Sequence, residues 1–123
     1  MRRRIDPAAG AQALRRWAAT VDSGDRPRRS DTATAVRYTL EELAACAPGR
    51  AVEVRVPPFG VTQAISGTVH RRGTPPTVVE TDPDTWLGLA SGRMNWDAAL
   101  ASGALHASGE RCDLSAYLPL LRA

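Results

Sequence analysis

The spacing of apolar residues changes period along the chain, and each change marks an element. Asp6 and Pro7 open a helical pattern in which Leu14, Trp17, Ala18 and Val21 share a face, with Arg15 and Arg16 beside it. Gly10 weakens this first helix. Residues 22–30, DSGDRPRRS, have the composition of a solvated linker. Asp31 can then cap a second helix, whose stripe is Val36, Leu40, Leu43, Ala44 and Ala47 and which Pro48 and Gly49 end. From Ala51 the period drops to two. Val52, Val54 and Val56 face one way and Glu53 and Arg55 the other, as in a half-buried strand.

Pro57, Pro58 and Gly60 turn the chain around Phe59. A second strand follows over residues 61–65, with Val61, Gln63 and Ile65 on one face, and it is expected to pair antiparallel with the first. Residues 66–76 read as a loop with at most a short strand near 68–71. Residues 77–81 form a third strand. Asp82 and Pro83 are a cap and a first-turn proline for a helix carrying Trp86, Leu89 and Ala90, stopped by Gly92. Asn95 caps another short helix, in which Trp96, Ala99 and Leu100 share a face before Gly103. Residues 105–109 alternate as a strand, with Leu105 and Ala107 opposite His106 and Ser108. Asp113 can cap a last helix with Leu114, Tyr117, Leu118 and Leu121 at helical spacing, interrupted by Pro119. The sum is an α/β (α+β) architecture. About five strands form a mixed sheet covered by the second helix and closed by the short ones.

Length and charge narrow the function. At 123 residues the chain can bury one core, and no apolar run approaches the roughly 18 residues of a membrane span. The expectation is a soluble cytoplasmic protein. Every basic residue is arginine, which points first to a coding bias. Residues 1–30 carry a balance of +5 and residues 31–123 one of −2. The basic character therefore belongs to an N-terminal segment (1–30) and not to the main domain (31–123), where most of the aromatics lie. That argues against a nucleic-acid partner. Arg2, Arg3 and Arg4 instead suit weak contact with an anionic membrane.

Catalytic signatures are missing. No nucleophile elbow, dinucleotide fingerprint or phosphate loop occurs. Glu80, Asp82 and Asp84 lie close together, but the two aspartates stand at a helix start, where the macrodipole favours negative charge. Cys46 reads as a small buried hydrophobe. Cys46 and Cys112, like His70 and His106, are too far apart in sequence to make a metal site convincing. Neither a catalytic group, a cofactor nor a metal is expected.

The order of a tryptophan helix, Gly92, a short alanine-rich helix, Gly103, a strand and Gly109 resembles the sterol carrier protein family, in particular its short actinobacterial branch. VEVRVPPFG (residues 52–60) and TPPTVVETDPDTW (residues 74–86) extend the likeness, which runs roughly from Asp31 to Leu120. The resemblance implies an apolar lipid cavity enclosed by a curved sheet and short helices, with the C-terminal segment near its mouth. The matching positions are Phe59, Trp86, Leu89, Met94, Trp96 and Leu100, together with Leu114, Tyr117, Leu118 and Leu121 of the tail. As a closing lid, the tail should affect ligand binding more than folding when it is removed. The turn after Val56 and the short middle strands depart from the longer members, and the chain ends Leu121, Arg122, Ala123 without a targeting tripeptide. A fatty acyl chain and an isoprenoid therefore stand beside a sterol-like molecule as ligands. The implied function is non-enzymatic lipid binding and transfer. The alternative is an interaction or accessory module of a larger enzyme system with a vestigial cavity.

Overall fold

A computed structural model describes residues 3–67, 77–108 and 114–121. The order of elements is α1 (Pro7–Asp22), α2 (Arg29–Cys46), β1 (Val52–Val56), β2 (Gly60–Ala64), β3 (Thr77–Thr81), α3 (Pro83–Ala90), α4 (Trp96–Ser102) and β4 (Leu105–Ser108). A single turn of 3₁₀ helix at Ser115–Tyr117 follows. The strands form one mixed sheet in the order β2-β1-β3-β4, antiparallel at both edges and parallel between β1 and β3. Four strands, not five, are found among the described residues, and the expected short strand near 68–71 lies outside them.

Local chemistry explains most boundaries. The Asp6 carboxylate accepts from the Ala9 amide at 3.1 Å, and the Asp82 carboxylate from the Thr85 amide at 3.0 Å, each just ahead of a first-turn proline. Asn95 Oδ1 accepts from the amides of Asp97 and Ala98. Gly103 ends α4 with φ of 79°, a left-handed conformation that costs glycine little. The start of α2 differs from expectation. The helix begins at Arg29, and Asp31 lies inside its first turn instead of capping it. There the dipole favours its charge, and the carboxylate accepts from Arg16 Nε of α1 at 3.0 Å.

Val52, Val54, Val56, Ala64, Val79 and Leu105 bring the sheet's inner face against the helices. Residues 36, 40, 43, 44 and 47 of the α2 stripe are all buried, as their spacing predicts. Ala13, Leu14, Trp17 and Ala18 of α1 are buried as well, so α1 packs on α2 as part of the core. Its close approach needs Gly10: a Cβ there would stand 2.2 Å from Tyr38 Cγ. Val21 lies outside the buried face, 39% exposed near the end of α1. Cys46 is exposed, because it falls outside the buried stripe of Leu43, Ala44 and Ala47. Val61 and Gln63 do share a face, but it is the outer one. β2 buries Ala64 and half-buries Thr62 instead, and Ile65 lies beyond the strand with φ of 69°. No helix among the described residues is long and apolar enough to cross a membrane.

Candidate functional site

Residues at the end of α3, the α3–α4 turn, the start of α4 and the tail enclose a recess of about 430 Å³. Backbone geometry builds it. Beyond α3 the amides of Arg93 and Met94 both donate to the Gly88 carbonyl, at 2.8 and 3.0 Å, which folds the turn back over the helix. A Cβ on Gly88 would stand 3.2 Å from Met94 Cβ, so the turn packs tightly there. On the other side the tail is pinned where the amides of Leu120 and Leu121 donate to the Ala90 carbonyl, at 2.8 and 3.1 Å. Pro119 forbids a regular helix at this point, and one 3₁₀ turn replaces the expected helix among the described tail residues.

Four of the expected positions meet in this recess. Leu89 and Trp96 form a buried floor, Met94 stands at the rim and Leu118 closes the tail side. Arg93, Asn95, Asp97 and Ser115 make the rest of the rim polar. This polar half has no signature in the sequence, because the turn between Gly92 and Trp96 carries no periodic signal. Arg93 is also ion-paired with Asp22 at the end of α1, which ties the rim to the first helix.

The remaining expected positions lie elsewhere. Trp86 has no exposed surface, and its Nε1–H donates to Thr39 Oγ1 at 2.8 Å in the helix layer. Leu114 is equally buried, so it belongs to the core and not to a mouth. Leu121 is half-buried against the core cluster. Leu100 and Tyr117 are 39% and 38% exposed. Leu100 lies on the outer side of a helix that buries Trp96 and Ala99, and Tyr117 projects from the 3₁₀ turn. Phe59 is half-buried on another side of the molecule, in the β1–β2 turn.

The acidic residues beside Pro83 resolve as structural. Asp82 holds the α3 N-terminus, and Asp84 Oδ1 accepts from the Trp17 indole N–H at 3.1 Å, linking α3 to α1. Among the described residues no group of histidine, cysteine or acidic side chains could hold a metal ion. Of the N-terminal arginines, Arg3 pairs with Glu42, and the amides of Arg4 and Ile5 donate to the Glu41 carboxylate. Arg2 lies outside the described residues. The arm therefore lies against α2. Nearby, burial and then the Glu42 charge raise the Tyr38 phenol above its ordinary pKa.

A small mixed sheet under a helical layer, with an apolar-floored recess beside a pinned tail, sets the class: a compact α/β domain. Residues 28–120 match a family model described as a bacterial SCP ortholog, and the chain belongs to that sterol carrier protein family. No curated protein matches the chain. Membership points to lipid binding in general.

Proposed function

We propose that the protein binds one lipid chain in the α3–α4 recess and carries it between membranes without catalysing a reaction. The observation that supports this most is the recess itself: an apolar floor of Leu89, Trp96 and Leu118 under a rim of Arg93, Asn95 and Asp97. That division suits an amphipathic molecule, with the chain on the floor and the polar end at the rim. About 430 Å³ lies within the ~300–1,000 Å³ range of small-molecule sites. It suits part of a fatty acyl or isoprenoid chain better than a whole polycyclic sterol. Apolar burial is the driving force. The cytoplasm is the proposed setting, with exchange at an anionic membrane assisted by Arg2, Arg3 and Arg4.

A second reading has support in the packing. Trp86, Leu87 and Leu114 are all fully buried, as in an interaction or accessory module whose cavity is filled by its own side chains. Native-lipid mass spectrometry on purified protein separates the two, since only the carrier retains a lipid. The functional test is titration with a fluorescent fatty acid in the absence of vesicles. Saturable binding is expected, with quenching or transfer from Trp96 that disappears in Trp96→Phe. Trp86 is core and should not respond. No saturable binding, or a response that survives Trp96→Phe, would remove the recess as the lipid site.

A further inference from the structure

The β1–β2 turn and the face of α2 beside it form a surface that the recess does not use. Pro57 and Pro58 are exposed, Phe59 is half-buried, and Val61 at the start of the edge strand is 59% exposed. This apolar tip is framed by arginine. The Arg29 guanidinium stacks over the Phe59 ring, 4.8 Å from its centroid, and Arg37 Nε donates to the Phe59 carbonyl at 3.2 Å. The N-terminal arm lies along the far side, placing Arg4 and Ile5 across a groove of about 440 Å³ from Phe59 and Val61. Arg29 and Arg37 are two turns apart on one helix, so both reach the same strip.

The charges on this strip are not cancelled. Among the described residues Arg4, Arg29 and Arg37 form no ion pair. Glu41 is the acidic side chain in the groove; the Arg4 and Ile5 amides hold its carboxylate without removing its charge, so three arginines face one carboxylate. Glu42, on the next position of α2, pairs with Arg3. The sheet side of the turn differs, because Arg55 there pairs with Glu53 and also lies near Glu80. The helix side of an exposed apolar tip thus carries a net positive charge.

We propose that this face docks on an anionic lipid bilayer, with Val61 and the prolines entering the interface and Arg4, Arg29 and Arg37 meeting lipid phosphates. The proposal deepens the membrane-exchange step of the function above and does not depend on the recess. Charge complementarity decides the occupant. A second copy of the chain would bring three arginines against three, whereas a bilayer offers phosphates around an apolar layer. Guanidinium groups can bind phosphate in a bidentate way while their stems cover apolar surface.

The test is co-sedimentation with phosphatidylcholine vesicles, pure or with about one-third phosphatidylglycerol. Partition is expected into the anionic vesicles only, and it should weaken as salt shortens the Debye length. Each of Arg4→Gln, Arg29→Gln and Arg37→Gln should lower partition roughly fivefold, and the triple variant on the order of a hundredfold. Val61→Asp should also lower it, with the melting temperature of this exposed site kept. Arg50→Gln, in the connection between α2 and β1, is the control and should change nothing. Equal partition into both vesicles, or anionic partition unaffected by the triple variant and Val61→Asp, overturns the proposal. So does a dimer in vesicle-free solution that Val61→Asp dissociates, or binding to soluble poly-glutamate as strong as to vesicles, which would indicate an acidic protein partner. The vesicle-free fatty-acid titration keeps the two proposals apart. Docking by a protein that binds no fatty acid sinks the recess alone, and saturable fatty-acid binding without vesicle partition sinks the face alone.

Discussion

Trp86 shows how the role of a single residue depends on its polar atom. Its ring is wholly buried, and an indole N–H in that position needs an acceptor. Thr39 supplies it from α2 at 2.8 Å, while its own hydroxyl remains within reach of the Ala35 and Val36 carbonyls. Thr39→Val keeps the shape and removes the acceptor. We expect it to cost about 1–3 kcal/mol in urea unfolding, since the donor is left unpaired in the core. Trp86→Phe in the same background removes the orphaned donor, so the double variant should lose less than the two single losses added together. Additive losses would mean that the hydrogen bond contributes nothing. Neither residue's chemistry was visible in the chain alone. Trp86 alone reads as core and becomes a cavity position only through the family resemblance, and Thr39 gives no signal at all.

At the scale of the element, the tail changes meaning. As a lid it should be dispensable for folding, but Leu114 is fully buried and two backbone hydrogen bonds fasten Leu120 and Leu121 to the end of α3. Truncation after Asp113 therefore removes core and one wall of the recess together. Leu114→Ala should cost about 2–5 kcal/mol of stability with little effect on fatty-acid affinity per folded molecule. Leu118→Ser, at a half-buried position lining the recess, should cost only about 1 kcal/mol and weaken binding. Parallel unfolding and titration of the two variants check this, and the reverse pattern would restore the lid. Pro119 signalled that the final helix would fail. What replaces it depends on the Ala90 carbonyl, nearly thirty residues away and invisible to local pattern.

At the scale of the molecule, the family match begins at residue 28, yet α1 before it supplies Leu14, Trp17 and Ala18 to the core. It is also joined to the rest by Trp17–Asp84, Arg16–Asp31 and Arg93–Asp22. A chain starting at Arg28 exposes the α2 surface that these residues cover. Burying a large apolar side chain is worth about 1.5–3 kcal/mol, and small domains are only marginally stable. We expect the shortened chain to lose its cooperative thermal transition in calorimetry. A transition retained within a few degrees of the full chain would show that α1 is an accessory.

What the sequence determined by itself is what short-range physics controls. Caps at Asp6, Asp82 and Asn95, the alternation of Val52, Val54 and Val56, and the α2 stripe from Val36 to Ala47 each depend on residues within one or two turns. Their partners lie beside them in the chain, so period and cap chemistry suffice. The antiparallel β1–β2 pairing was legible too, across a short turn, but the face of β2 and the longer-range pairings were left to the tertiary structure. Val61 alternates like an inner residue, yet it points outward because β2 pairs with β1 in the register Arg55 to Val61. Leu89 and Trp96 border the recess while Trp86 and Leu114 fill the core, although all four are apolar residues. Arg29 finds Phe59, and Asp84 finds Trp17, across thirty and sixty-seven positions. Apolar burial has no direction and charges act through space, so neither discloses its partner until the helices are packed on the sheet.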